Sequence, residues 1–274
     1  MARIAVVGLA KSGTTGLWSA LVKALPARYL QFFEGQYLPT RYNKYIGRKN
    51  PDKSAPDVID KQIIGPEFHL SAVDFFDHVV WLVRDPRDRL VSYILYRHFD
   101  HRFDDDAFVS EQLRLLEKKE MNPRAVNLRD LESRLNLPDP TDDSAFFWGD
   151  QKKWSTLQLA VTKGQALVFR YEDFVDGQFS EIENRLGLKI SKAKHVPKQF
   201  ERVVRSKSHG FWRDWFTKED VQHYRPLFEP FLLRYGYDNN WDSSNDPRIN
   251  PAHGSFYARR IVNERRASEG LPAI

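Results

Sequence analysis

The chain has no cysteine. Disulfides and thiolate metal sites are therefore excluded, and a reducing, cytoplasmic setting is expected. No apolar run comes near the roughly 18–20 residues that cross a bilayer. The opening stretch MARIAVVGLAKSG is apolar only briefly before it enters a glycine-bearing loop, so it reads as a buried strand opening a fold and not as a signal peptide. Internal repeats and low-complexity tracts are missing as well.

What remains is an ordinary globular composition, 41% hydrophobic and 14% aromatic, over 274 residues. That length suits one large domain. The net charge of +5 favours anionic partners, although many soluble enzymes are mildly basic for no single reason.

Short apolar runs bounded by polar breakers stand at Ile4–Val7, Tyr29–Phe33, Val58–Ile64, Val79–Val83 and Ala166–Phe169. They predict fully buried strands of a parallel sheet. Helical spacing stands at Thr14–Leu25, Pro86–Phe99, Ala107–Glu120 and Ser144–Thr162. Such alternation predicts an α/β fold: a three-layer, doubly wound, mainly parallel sheet. Residues 1–240 form the expected domain. The charged stretch from about 100 to 143 reads as a helical insertion, a candidate lid over the acceptor. Residues 241–274 read as a linker followed by a basic amphipathic segment, Ser255–Ser268. Its arginines could touch a membrane, but a solvated helix face is the plainer expectation.

After the first strand comes Gly8-Leu9-Ala10-Lys11-Ser12-Gly13-Thr14-Thr15-Gly16. A glycine turn between strand and helix presents backbone N–H groups and the positive end of a helix dipole, which together attract an anion. Gly8 and Gly13 have the separation of a Walker A loop, GxxxxGK[ST], but Thr14 follows Gly13 where that loop has lysine. The nearby lysine, Lys11, lies inside the loop. A second segment, Val79 to Tyr93, brings a buried strand to Arg84 at its carboxyl edge. Asp85-Pro86 then starts a helix carrying Ser92 two turns along. A surface network of Asp85, Arg87 and Asp88 is the plain alternative for this segment.

KSGTT after a strand resembles the 5′-phosphosulfate loop of sulfotransferases. Arg84-Asp85-Pro86-Arg87-Asp88 with Ser92-Tyr93 resembles their 3′-phosphate signature. Phe169 to Phe174 with Leu186-Gly187-Leu188 is similar to the family's YEDL-then-LGL pattern. Arg205 to Thr217 is similar to its RKGxxGxWxxxFT element, with Ser206 and Lys207 in place of Lys-Gly. The likeness spans Ile4 to Tyr237 and leans towards the bacterial and carbohydrate-type members.

The resemblance implies a transferase that uses 3′-phosphoadenosine 5′-phosphosulfate (PAPS) as co-substrate, with no metal. It assigns Lys11, Ser12, Gly13, Thr14 and Thr15 to the phosphosulfate, with Lys11 on the bridging oxygen. Arg84, Ser92, Arg205 and Lys207 fall to the 3′-phosphate, and Tyr171 to the nucleotide. Cytosolic members carry an adenine-stacking tryptophan directly after the loop. This chain has Gly16 there, and Trp18, two residues on, faces another side of its helix.

Relatives take the acceptor's proton with glutamate or histidine. Glu34, in a QFFEG segment resembling that of carbohydrate and bacterial members, is the first candidate and is expected at the crevice beside the loop. His69 is the second. Lys61, a strand lysine that needs a partner if buried, resembles an assisting lysine of glycan N-sulfotransferases. The implied acceptor is a polar carbohydrate or small molecule offering a hydroxyl or amine; no nucleic-acid partner is expected. Two alternatives stay open: a P-loop nucleotide kinase, and a non-catalytic module binding anionic glycans or nucleotides.

Overall fold

Strand β1 (Arg3–Gly8) is buried along nearly its whole length, as its unbroken apolar sequence requires. It lies at the middle of a five-stranded sheet with β2 (Leu30–Phe33), β3 (Val58–Ile63), β4 (His78–Val83) and β5 (Ala166–Arg170), in the order β2-β3-β1-β4-β5. Every pairing is parallel. The expected strands are all present, with ends shifted by a residue or so, but the edge strands depart from the expected full burial: β2 is exposed to half-buried and β5 only partly buried, because each has a neighbour on one side only. The computed structural model describes residues 2–34, 57–64, 75–135, 151–191 and 196–274, and only the backbone within 151–156.

The chain divides into two compact units. The first comprises Met1–Arg84 and Pro140–Glu201 and contains the sheet. Helix α1 (Thr14–Ala24) packs on β1 and β3 in this unit. Leu17 and Leu21 recur one turn apart and meet Ile4, Val6, Ile59, Val80 and Leu82 in the core. Leu25 ends the helix, with Pro26 beyond it.

The second unit, Asp85–Asp139 and Arg202–Ile274, is helical. It contains α2 (Pro86–Arg97), α3 (Asp106–Met121) and α4 (Leu128–Arg134), the last two from the predicted helical insertion. The first unit adds α5 (Gln151–Thr162), α6 (Tyr171–Asp176) and α7 (Ser180–Leu186). The second closes with α8 (Trp212–Trp215), α9 (Lys218–Arg234) and α10 (Ser255–Ser268).

Asp85 caps α2 by accepting the Arg87 amide at 2.9 Å, and Pro86 fills the first turn, where no N–H is needed. Asp85, Arg87 and Asp88 are all buried, so the surface-network alternative is set aside. The Arg87 guanidinium bonds to Asp85 at 2.7 Å and to the carbonyls of Asp238 and Asn240 at 2.8 and 2.7 Å, and it lies over the rings of Trp212 and Trp241.

The basic C-terminal helix is engaged within its own unit. Arg259 pairs with Glu117 at 2.9 Å, Arg260 with Glu264 at 3.0 Å and Arg265 with Glu269 at 3.1 Å. Arg266 is buried against Asp106 and the carbonyls of Phe103 and Pro272. No helix among the described residues is long and apolar enough to cross a membrane.

One buried charge has a measurable consequence. Asp60, in the middle of β3, is fully buried; its Oδ2 accepts from Gln62 at 2.7 Å, and its Oδ1 has no partner among the described residues. Desolvation raises its pKa from 3.8 to about 6, against the smaller opposing effect of the Gln62 bond. The unfolded chain ionises this carboxyl near 3.8 and the folded chain only near 6, so folding loses stability as pH rises through that window. Asp60→Asn keeps the acceptor for Gln62 and removes the charge. Thermal or urea unfolding should find it more stable than the parent by about 1–3 kcal/mol at pH 7.5. The difference should shrink as pH falls through the window and be lost below the unfolded value of 3.8, and a difference independent of pH would contradict the assignment.

Candidate active site

The topology itself picks out the crevice. From β1 the chain leaves for β2, on one side of the sheet; from β4 it leaves for β5, on the other. The carboxyl ends of β1 and β4 are adjacent, and open parallel sheets bind ligands where neighbouring connections diverge in this way. The loop Gly8–Gly13 follows β1, and Arg84 follows β4.

The loop is tightly wound. Lys11 has φ 66° and Gly13 φ 91°, both left-handed, and the Ser12 amide donates to the Leu9 carbonyl at 3.1 Å. Gly13 is the N-cap of α1, and its carbonyl accepts the amides of Gly16 and Leu17 at 3.0 and 3.2 Å. Ser12, Thr14 and Thr15 are buried beside it. The helix therefore starts directly from the loop, with the positive end of its dipole there.

Arg84 and Tyr171 hold this loop from the other strands. The Arg84 Nη1 donates to the Lys11 carbonyl at 2.9 Å. Its guanidinium lies 4.3 Å from the centre of the Tyr171 ring, a cation–π interaction. The opposite demand falls on Gly13: a Cβ there would stand 2.3 Å from the Tyr171 ring, so only glycine fits. Lys11, Gly13, Arg84 and Tyr171 are thus brought together. The Arg84 Nε is buried and has no hydrogen-bond partner among the described residues. A buried guanidinium with a donor unpartnered among the described residues suits an anionic group such as a phosphate.

Trp18 does face away from the Gly16 position. It is buried in the core, edge-on to Phe33 at 5.3 Å and to Phe200 at 5.9 Å. Gly16 has the Phe174 ring beside it, and a Cβ would meet that ring at 3.0 Å.

Glu34 follows β2 as predicted, but β3 lies between β2 and β1, so Glu34 starts about 10 Å from the β1 axis instead of next to the loop. It is drawn inwards by Lys61. The Glu34 amide donates to the Lys61 carbonyl at 2.9 Å, and its carboxylate accepts from the Lys61 ammonium. Lys61 is 1% exposed, whereas the Glu34 side chain is half exposed. The ammonium also lies 4.2 Å from the Phe33 ring centre, and Phe33 stacks on Phe200 at 4.1 Å. Desolvation lowers the Lys61 pKa, and the Glu34 charge works against that shift. Glu34 has φ 44°, a left-handed conformation that costs a non-glycine residue on the order of 1 kcal/mol, which the ion pair helps offset. Phe200 gave no sign of this part in the sequence; its neighbours are polar and its partner is more than 160 residues away.

His69 lies outside the described residues. Ser92, Arg205 and Lys207 belong to the second unit. Ser92 is buried on α2, Arg205 is buried with its Nη1 donating to the His253 carbonyl at 3.3 Å, and Lys207 is exposed.

No protein-family model matches the sequence, and no curated protein matches it. Solved structures do. The chain is similar to mouse sulfotransferase SULT7A1 complexed with PAP, at 14% identity over 84% of this chain and 84% of that one, with a TM-score of 0.55. Retinol dehydratase matches in a complex with androsterone and inactive cofactor PAP, at 16% identity over 90% of this chain and 83% of that one, with a TM-score of 0.47. It also matches in a complex with retinol and PAP, at 17% identity over 84% and 81%, with a TM-score of 0.46. The five-stranded parallel sheet with its flanking helices shares its fold with that mouse sulfotransferase.

Proposed function

We propose that the protein is a PAPS-dependent sulfotransferase acting on a hydroxyl or amine of a polar, carbohydrate-like or small-molecule acceptor. The observation that carries this is the junction of loop and arginine: a lysine held inside the loop, its carbonyl gripped by Arg84, with the guanidinium's Nε unpartnered among the described residues. A kinase loop would place its lysine after Gly13 and would work with Mg²⁺.

PAPS supplies a sulfuryl group on a good leaving phosphate. The loop amides and the hydroxyls of Ser12, Thr14 and Thr15 hold that phosphate, and Lys11 neutralises the charge that grows on its bridging oxygen. Arg84 binds donor phosphate. Ser92, Arg205 and Lys207 take the 3′-phosphate, as the family resemblance assigns. Tyr171 keeps loop and arginine in register and lies beside the nucleotide.

Glu34 accepts the acceptor's proton as its oxygen or nitrogen bonds to sulfur and the sulfur–oxygen bond to the phosphate breaks. Lys61 orients Glu34, and His69 is the second candidate for the base. The interval of about two strand spacings between loop and Glu34 leaves room for the sulfuryl group and the acceptor atom. Direct coordination of the sulfuryl group by a metal has no part in this scheme.

Calorimetry tests the reading. Adenosine 3′,5′-bisphosphate (PAP) without metal should bind in the micromolar range or tighter. ATP with Mg²⁺ should bind at least about tenfold more weakly, because it has no 3′-phosphate to accept a charge-assisted hydrogen bond. The reverse order would support the kinase. PAP binding without transfer of labelled sulfate to any glycan or small-molecule acceptor would support the non-catalytic module.

A further inference from the structure

The second unit contains an interaction that the proposed chemistry does not yet use. Asp88 lies in the first turn of α2 and is 1% exposed. Its carboxylate accepts two backbone amides from far along the chain, Gly210 at 2.5 Å through Oδ2 and Trp212 at 2.9 Å through Oδ1. Gly210 has φ 84°, and this left-handed turn aims both amides at the same carboxylate. Trp212 opens α8, so Asp88 also supplies the negative charge that a helix start favours. One residue before Asp88, Arg87 lies over the Trp212 ring at 4.2 Å. Helix α2 thus holds the end of the Arg205–Trp212 segment by its backbone and by its indole.

The segment is also pinned at its beginning. The Arg205 carbonyl accepts from the His253 ring at 2.8 Å, and the Arg205 Nη1 donates to the His253 carbonyl at 3.3 Å. Its guanidinium lies 5.4 Å from the Phe211 ring centre. On α2, Asp88 and Ser92 are four residues apart and share a helix face. The face that receives Gly210 and Trp212 is therefore the face that carries Ser92.

We propose that Asp88 is a positioning residue for the 3′-phosphate: by fastening the Gly210–Trp212 turn to α2, it fixes Arg205 for the phosphate that Ser92 also binds. The proposal rests on the sulfotransferase reading. It adds to that reading a buried acidic residue that touches no ligand and works through the loop.

Asp88→Asn leaves one acceptor oxygen and turns an amide donor towards the other backbone N–H. Two ligands separate a local effect from a general one. The variant should bind PAP at least about tenfold more weakly, while adenosine 5′-phosphate, which lacks the 3′-phosphate, should change by less than about twofold. In native-state hydrogen exchange, the Gly210 and Trp212 amides should lose protection ahead of the rest of the second unit. Equal weakening of both nucleotides, or unchanged PAP binding, overturns the role of Asp88 and leaves the sulfotransferase reading intact. Failure of the parent protein to bind PAP removes both. If Asp88→Asn does not fold, Gly210→Ala strains the same turn from its other side, with open space for the new methyl group, and should give the same selective loss. Equal weakening there would likewise overturn the proposal.

Discussion

Lys11→Ala should lower kcat by about 10²–10³ while PAP affinity stays within a few-fold of the parent, because a charge aimed at a developing oxyanion acts mainly in the transition state. The geometry explains the separation. The Lys11 backbone is fixed by its left-handed conformation and by the Arg84 bond to its carbonyl, and neither depends on the side chain. The loop should therefore keep its shape, and with it the amides that bind ground-state phosphate. Lys11→Arg restores charge but not the compact ammonium, and should recover activity only in part. Single-turnover transfer from labelled PAPS, set beside calorimetry with PAP, reads both quantities. If affinity falls as far as turnover, Lys11 is a ground-state ligand; if turnover is unchanged, the leaving-group assignment is wrong.

Features of this site set by local sequence were legible, and those set by register were not. Val79–Val83 is a continuous apolar run, so its burial and the delivery of Arg84 to the sheet edge follow from sequence alone. The glycine spacing of the first loop is equally local. The Glu34–Lys61 pair is different. It depends on β2 pairing with β3 so that Phe33 stands opposite Lys61, and no pattern within either strand specifies that register. The same pairing inserts β3 between β2 and β1, which is why Glu34 does not begin beside the loop. Asp88 was harder still. Its acidic neighbours and arginines suit a solvated helix start, and only its bonds to amides more than 120 residues away show it to be internal. Tyr171 was singled out by its motif, but its tight fit against Gly13 is a tertiary fact that composition does not encode.

The proton-transfer side of the site gives the other large expected effect. Glu34→Gln should reduce kcat by about 10²–10⁴, the usual contribution of a positioned general base, without weakening PAP binding. Lys61→Met separates base from orienting partner. Methionine fills the buried space of the lysine stem and removes an ammonium whose desolvation is costly, so stability should hold or rise slightly. The partner it abandons, Glu34, is half exposed and can be solvated instead of being stranded. Without its ion pair, that carboxylate should leave the left-handed conformation more readily, and kcat should fall by about tenfold as its placement loosens. Three outcomes have distinct meanings. A large loss in Glu34→Gln with a smaller one in Lys61→Met fits a base held by its neighbour. Equal large losses make Lys61 a direct participant in the chemistry. Parent-like turnover in Glu34→Gln, with collapse in His69→Ala, transfers the base to the histidine and leaves the buried lysine paired with a carboxylate of purely structural use.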